Sequence, residues 1–294
     1  MNKYESSELI INEDGSIFHL HVKPEQLADK VILVGDPKRV KIVTAHFDSI
    51  ECEVCNREFY TVTGIYKGKR ITVLSTGIGC DNIDIVMNEL DALANIDLKE
   101  RTVKPEHRTL SIVRIGTCGG LQPEVPIGTF VASVKSIGFD GLLNYYAGRN
   151  EVCDLELEKA FVRHMNWCPQ KGAPYVANPD ASLIEQIAGK EMRRGITIAC
   201  GGFYGPQGRL IRLKIQDPDQ NRKAIEFRYT TPEGKELKIY NFEMESSALA
   251  GLSSLLGHRA MTCCLVIANR YAKEMNTDYK NSIDNLIQLV IDRI

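Results

Sequence analysis

Three arginines stand beside glycine-rich turns in this 294-residue chain: Arg39 follows Gly35-Asp36-Pro37, Arg57 precedes an alternating apolar run, and Arg114 precedes Gly116-Thr117-Cys118-Gly119. A guanidinium offers a planar fork of donors that matches phosphate, and glycine turns let backbone N–H groups approach an oxyanion. Each arginine alone reads more readily as a solvated or salt-bridged surface group. The three together point to a phosphate-like anion. Thr117 adds a hydroxyl donor at a strand end, where open α/β sheets hold their ligands.

A second cluster lies at Gly201 to Arg209, GGFYGPQGR, with two aromatics, a Gly-Pro turn, then Gln207 and Arg209. An aromatic ring stacks on a base, a glutamine amide both donates and accepts, and an arginine only donates. Uracil shows acceptor, donor, acceptor along O4, N3–H and O2, which this set satisfies. Cytosine would face the donor-only arginine with a further donor. Taken alone, the segment reads more readily as a surface loop than as a base pocket. Asn241-Phe242-Glu243-Met244-Glu245-Ser246 reads as the opening of a helix, where acidic residues ordinarily serve the dipole. The alternative is one carboxylate turned inward onto vicinal ribose hydroxyls, with methionine against the sugar. Residues two apart diverge on a helix, which argues against a catalytic carboxylate pair. His19, between Phe18 and Leu20, is structural unless its segment reaches a ligand in a neighbouring subunit.

The elements that must position these groups alternate between strand and helix. Val31 to Val34 reads as a strand, followed by a tight turn and a helix over Arg39 to His46. Glu58 to Thr76 reads as a hairpin turning at Lys67-Gly68-Lys69 and running into Thr76-Gly77-Ile78-Gly79, a glycine cluster that by itself signals only a bend. Apolar residues from Ile83 to Ala94 recur at three and four residues, one buried helix face. Strands follow at Leu110 to Ile115 and Gly128 to Ile137, helices at Leu155 to Met165 and Ala181 to Lys190, and a strand at Ile196 to Cys200. A helix at Ser246 to Leu256, a core strand at Met261 to Ala268 and a helix from about Tyr279 complete the α/β pattern. The polar stretch Gln216 to Lys238 reads as a protruding hairpin, Ala224 to Thr230 against Glu236 to Tyr240 around Thr231-Pro232-Glu233-Gly234, or as a mobile lid. No linker or repeat divides the chain, so one domain is expected over 1–294, with 1–17 an N-terminal extension.

Composition narrows the class. The 36 Lys and Arg against 38 Asp and Glu leave a net charge of -2, so no global field points to nucleic acid or an anionic membrane. Residues 2 to 8 lack the apolar run of a signal peptide and no run approaches a membrane span, which suits a cytoplasmic protein. Nine cysteines, mostly inside apolar runs, read as reduced thiols. Cys52 and Cys55 form a CxxC without a second ligand pair, so no metal is assigned.

In order, these pieces resemble the nucleoside phosphorylase family and its uridine-cleaving branch: FHL at Phe18 to Leu20, VGDPKRV at Val34 to Val40, REF at Arg57 to Phe59 and STGIG at Ser75 to Gly79. RIGTCGG at Arg114 to Gly120, FYGPQGR at Phe203 to Arg209, FEMES at Phe242 to Ser246 and IANR at Ile267 to Arg270 complete the series. The resemblance implies a three-layer α/β/α fold around a central mixed, partly barrel-like sheet. It implies reversible conversion of uridine and phosphate to uracil and ribose 1-phosphate, with phosphate as co-substrate and neither redox cofactor nor catalytic metal.

By matching motifs, phosphate falls to Gly35, Arg39, Arg114 and Thr117, with Arg57 contributed across a dimer interface. Ribose falls to Met244 and Glu245, with His19 of a neighbouring subunit near the 5'-hydroxyl. The base falls to Phe203, Gln207, Arg209 and Gly119, with Arg270 behind Arg209. Arg209, Gln207 and Arg270 are thus the expected catalytic groups, and a homodimer, alone or in a ring of dimers, the minimal active unit. Purine-preferring members carry an acidic residue where this chain has Gln207. Cys118 stands where a hydroxyl residue is usual, and a helix is expected within the 216–238 stretch. The resemblance also implies a monovalent cation at the subunit contact. Glu58 and Ile78 match part of that site, but Asn82 replaces a hydroxyl residue, so potassium is not assigned. A purine phosphorylase, a water-using nucleosidase and a non-catalytic nucleoside-binding protein are the competing readings.

Overall fold

The computed structural model describes residues 3–294. Residues 1 and 2, part of the expected extension and of the segment read for a signal peptide, lie outside the described residues. The rest of the extension is tied to the body: Arg101 Nη1 donates to the Leu9 carbonyl, and Ile11 bridges Ile17.

Apolar alternation builds the first half of the sheet. In β1 (Lys30–Val34), Val31 and Leu33 face one layer while Ile32 and Val34 face the other. Asp36 caps α1 (Pro37–Thr44) by accepting from Lys38 N at 2.9 Å, and Pro37 presets the first turn. β2 (Ser49–Asn56), β3 (Phe59–Tyr66) and β4 (Lys69–Ser75) form an antiparallel meander, with the Lys67-Gly68 turn where the sequence places it. Next come α2 (Cys80–Asn95) and a separate two-stranded pair, β5 (Ile96–Asp97) with β6 (Thr102–Val103).

The second half begins with β7 (Ser111–Gly120) and β8 (Phe130–Gly138), then α3 (Arg149–Val152), α4 (Leu155–Met165) and β9 (Tyr175–Ala177). α5 (Ala181–Ile187) and β10 (Met192–Ala199) follow, then α6 (Gln220–Glu226), β11 (Arg228–Thr230) and β12 (Glu236–Glu243). The chain closes with α7 (Ser246–Leu255), β13 (Arg259–Asn269), β14 (Glu274–Met275) and α8 (Lys280–Arg293).

One twelve-stranded mixed sheet has the path β11-β12-β10-β8-β13-β7-β1-β4-β3-β2. β12 also pairs antiparallel with β7, Asn241 opposite Gly120 and Phe242 opposite Gly119, so β12, β10, β8, β13 and β7 pair round in a closed ring. This is the barrel-like part of the expected sheet. α2 and α7 bury their apolar faces on one side, and α1, α5 and α8 on the other. α4 and α6 cover the outside of the ring through Phe161, Ala224 and Phe227.

Two sequence expectations change. Ala224 to Glu226 is the end of a helix, not a hairpin arm, because Ala224 and Phe227 bury against Phe161 and Arg222 pairs with Asp219 and Glu226 along the helix. The hairpin keeps only three residues of its first arm, Arg228 to Thr230, and its second arm runs on into the ring instead of protruding. Asn241 to Glu243, read as a helix start, is strand, because β10 and β7 claim its backbone; the helix begins at Ser246.

Candidate active site

The glycine-bearing ends of β1, β4 and β7, the end of β12 and the loop after β10 line one cavity of about 680 Å³. Ten of the residues singled out from the sequence line it. Gly35, Arg39, Arg114 and Thr117 are among them, as are Gly119, Phe203, Gln207, Arg209, Met244 and Glu245. Arg57 and His19 are not. Arg270 lies just behind, its Nε 3.8 Å from where a Cβ on Gly119 would stand, and its Nη2 donates to the Gln207 carbonyl at 3.2 Å. A neighbouring cavity of about 630 Å³ under residues 209–217 shares Tyr204 and Arg209 with the first.

Arg114 is buried between two carboxylates. Nη1 donates to Glu243 Oε2 at 3.1 Å and Nη2 to Glu245 Oε2. Its Nε has no hydrogen-bond partner among the described residues. Burial alone would lower the Arg114 pKa, but Glu245 and Glu243 more than offset it and raise it, so the group stays cationic. Glu243 also accepts from Glu245 N at 2.9 Å, Ser246 N at 3.0 Å and Ser246 Oγ at 2.7 Å, capping α7 from the last residue of the preceding strand. Burial pushes its carboxyl up to about 7 against the opposing pull of Arg114. The two glutamates therefore do not diverge as on a helix. They converge on one guanidinium, and Glu243 is a site residue that sequence reasoning left unassigned.

Glu245 is held from a second side, where Gly79 N donates to its Oε1 at 2.8 Å. The Thr76 to Gly79 turn thus positions a carboxylate as well as making a bend. Gly77 has φ +70°, and a Cβ there would lie 2.5 Å from Asn82 Nδ2. That amide donates to Thr76 O at 2.8 Å and Glu58 Oε1 at 3.2 Å.

Arg39, at the start of α1, reaches across to the Ile115 carbonyl at 3.4 Å. Burial and then the charge of Arg114 lower its pKa. A parallel arrangement stands at the other end of the cavity. Burial and Arg270 push Arg209 down to about 10, still charged at neutral pH, and burial lowers Arg270 as well. Arg209 donates to the amide oxygen of buried Gln207 and lays its guanidinium 3.6 Å from the Phe203 ring centroid. One face of Phe203 is therefore taken by Arg209 and not by a base. At the base end two crowded arginines, Arg209 in the lining and Arg270 behind it, favour an anion, while at the other end Glu243 and Glu245 already counter Arg114 and leave Arg39 as the cation without a carboxylate partner among the described residues.

Cys118 lines the cavity as a buried thiol whose pKa burial raises well above its ordinary value, beside Cys264, so it is neither thiolate nor strong donor. All nine cysteines are unpaired. Arg57 is exposed at the β2–β3 turn in a left-handed conformation, φ +54°. Among the described residues no helix is long and apolar enough to cross a membrane.

Residues 29–292 match the family model described as the Phosphorylase superfamily. The chain is 29% identical over 277 residues to uridine phosphorylase of Thermococcus kodakarensis, covering 93% of this chain and 85% of that one. It is 28% identical over 286 residues to uridine phosphorylase of Haemophilus influenzae, covering 94% and 96%. Among solved structures, a Trypanosoma brucei nucleoside phosphorylase described as showing uridine phosphorylase activity superposes with TM-score 0.87 at 28% identity, covering 97% of this chain and 99% of that one.

Proposed function

The chain belongs to the phosphorylase superfamily, and on that premise we propose that it catalyses the reversible phosphorolysis of uridine to uracil and ribose 1-phosphate. The observation that carries this reading is one cavity lined by Arg39 and Arg114 towards one end, Gln207 and Arg209 towards the other, and Glu245. Arg39 and Arg114, with the Thr117 hydroxyl and the Gly35 backbone, take the phosphate dianion. Glu245 accepts from the ribose hydroxyls, with Met244 against the sugar. Gln207 and Arg209 take the uracil edge, with Gly119 and Phe203 in the same lining, and Arg270 supports them from behind.

The chemistry follows from where charge moves. The C1'–N1 bond breaks with its electron pair going to the base, so negative charge grows on the uracil oxygens while the ribose becomes oxocarbenium-like. Arg209 and Gln207 stabilise that charge more strongly than the neutral ground state. A phosphate oxygen then forms the new bond to C1', and the base takes up a proton. Charge-assisted donors that meet an anion only as the bond breaks raise kcat more than they lower KM. Arg57 and His19 lie outside this cavity, and we assign both to the site of a neighbouring subunit, in a dimer or a ring of dimers. We further take the chain as one domain acting in the cytoplasm, in keeping with its unpaired thiols.

The test is uracil release from uridine with and without phosphate. The expected outcome is release that requires phosphate and reverses when ribose 1-phosphate and uracil are supplied. Release without phosphate would make the protein a nucleosidase, and no release from any nucleoside would make it a binding protein.

A further inference from the structure

The turn that carries His19 is organised by a residue outside the cavity lining. Glu89, on α2, accepts from His19 N at 3.0 Å, Leu20 N at 2.9 Å and His19 Nδ1 at 2.6 Å. A carboxylate can only accept, so Nδ1 carries a proton, and Nε2 is the ring nitrogen left free for another partner. The imidazole is further boxed by Phe18, with ring centroids 4.7 Å apart, and edge-on by Phe59 at 6.4 Å. Asn56 Nδ2 donates to the His19 carbonyl at 2.7 Å, and Asn56 immediately precedes Arg57 at the β2–β3 turn. One carboxylate and one amide therefore lock the turn bearing His19 to the hairpin tip bearing Arg57.

We infer that Glu89 is a positioning residue for the reaction: it fixes the tautomer and direction of His19, and with Asn56 makes His19 and Arg57 one preassembled unit presented to the adjoining subunit's substrate. Its chemical consequence is specificity for a 5'-hydroxyl, which pairs with the Nε2 that Glu89 leaves free. This rests on the assignment of His19 to the ribose end of a neighbouring site. A loosely held histidine would lose orientation on every encounter; three hydrogen bonds to one half-buried carboxylate remove that freedom before substrate arrives.

The experiment compares kcat/KM for uridine and 5'-deoxyuridine in the intact enzyme and in His19→Ala, Glu89→Ala, Glu89→Gln and the double variant His19→Ala/Glu89→Ala. A hydrogen bond of this kind corresponds to about tenfold. Glu89→Ala is expected to lose about that factor on uridine and almost none on 5'-deoxyuridine. Glu89→Gln, which still accepts from Nδ1 through its amide oxygen, should keep part of the discrimination. The double variant should be no worse than His19→Ala. Equal losses on both substrates in the Glu89 variants would mean a purely structural role and overturn the inference. So would full activity of Glu89→Ala beside an impaired His19→Ala. If Glu89→Ala does not fold, the ratio between the two substrates in Glu89→Gln decides. Should His19→Ala itself discriminate the substrates as the intact enzyme does, the assignment of His19 to the ribose fails, a result separate from any Glu89 outcome.

Discussion

Arg209 shows how a side chain's role depends on what it gives up to perform it. It donates to Gln207, stacks on Phe203 and is pushed down by burial and Arg270. An anion forming on the uracil oxygens relieves that crowding, so the stabilisation is greatest in the transition state. A hydrogen bond to a charged group contributes about 1.5 to 3 kcal/mol, so Arg209→Ala should lower kcat by roughly tenfold to a few hundredfold, with a smaller change in KM. Arg209→Lys should recover little, because an ammonium neither forks nor stacks in the same plane. Steady-state kinetics with uridine check both. Glu243 leads to a stability test. Its carboxyl sits at about 7 in the fold against an ordinary 4.5, so between those values the folded chain keeps a proton that the unfolded chain releases. Stability from this group is therefore full below about 4.5, falls as pH rises towards 7 and is flat above it. Glu243→Gln mimics the protonated carboxyl and removes this component. Melting curves from pH 5 to 8 should slope less for the variant than for the intact protein.

At the scale of elements, the site is built by strand ends that glycine allows to approach closely. A Cβ on Gly116 would collide with Nη1 of Arg114 and lie 2.9 Å from Cys264 Sγ. The bare strand of β7 is what lets Arg114 fold back between Glu243 and Glu245. Gly116→Ala should displace the guanidinium and raise the KM for phosphate by about tenfold, the factor expected for one misplaced charged contact, with the KM for uridine less affected. Much of this was legible beforehand. The strand and turn of Val31 to Pro37, the hairpin about Lys67-Gly68 and the helix at Leu155 to Met165 all stand where the periodicity puts them. The misreadings are local too. Asn241 to Glu243 carries residues suited to either a strand end or a helix start, and only its pairing with β10 and β7 decides. Ala224 is a good helix former whose state is settled by burial against Phe161.

For the whole molecule, Arg57 and His19 both lie outside the lining of the cavity that the other candidates share, yet Asn56 and Glu89 tie them together. If each is used by a neighbouring subunit, two defects can complement. Arg57→Ala and Arg114→Ala homodimers should each be nearly inactive. A mixed dimer contains one site with both arginines intact. Co-refolding equal amounts should restore about a quarter of the native site count, since half of random dimers are mixed and each carries one good site. Sedimentation at the assay concentration must show the dimer. No recovery in a demonstrated mixed dimer would place Arg57 in its own chain's site.

Residue types alone determined the chemistry available here: guanidinium forks for phosphate, an amide and an arginine for uracil, a carboxylate for sugar hydroxyls. These are properties of functional groups and spacing, and they survive any detail of packing. The tertiary structure decided which groups meet. Arg114 lies between two carboxylates because a strand places Glu243 and Glu245 where a helix would have separated them. Phe203 lends a face to Arg209, and Gly79, from a turn that looked like mere punctuation, holds the Glu245 carboxylate. The path of β12 through a closed ring of strands is set by contacts more than a hundred residues apart in the chain. Local periodicity contains no term for such contacts.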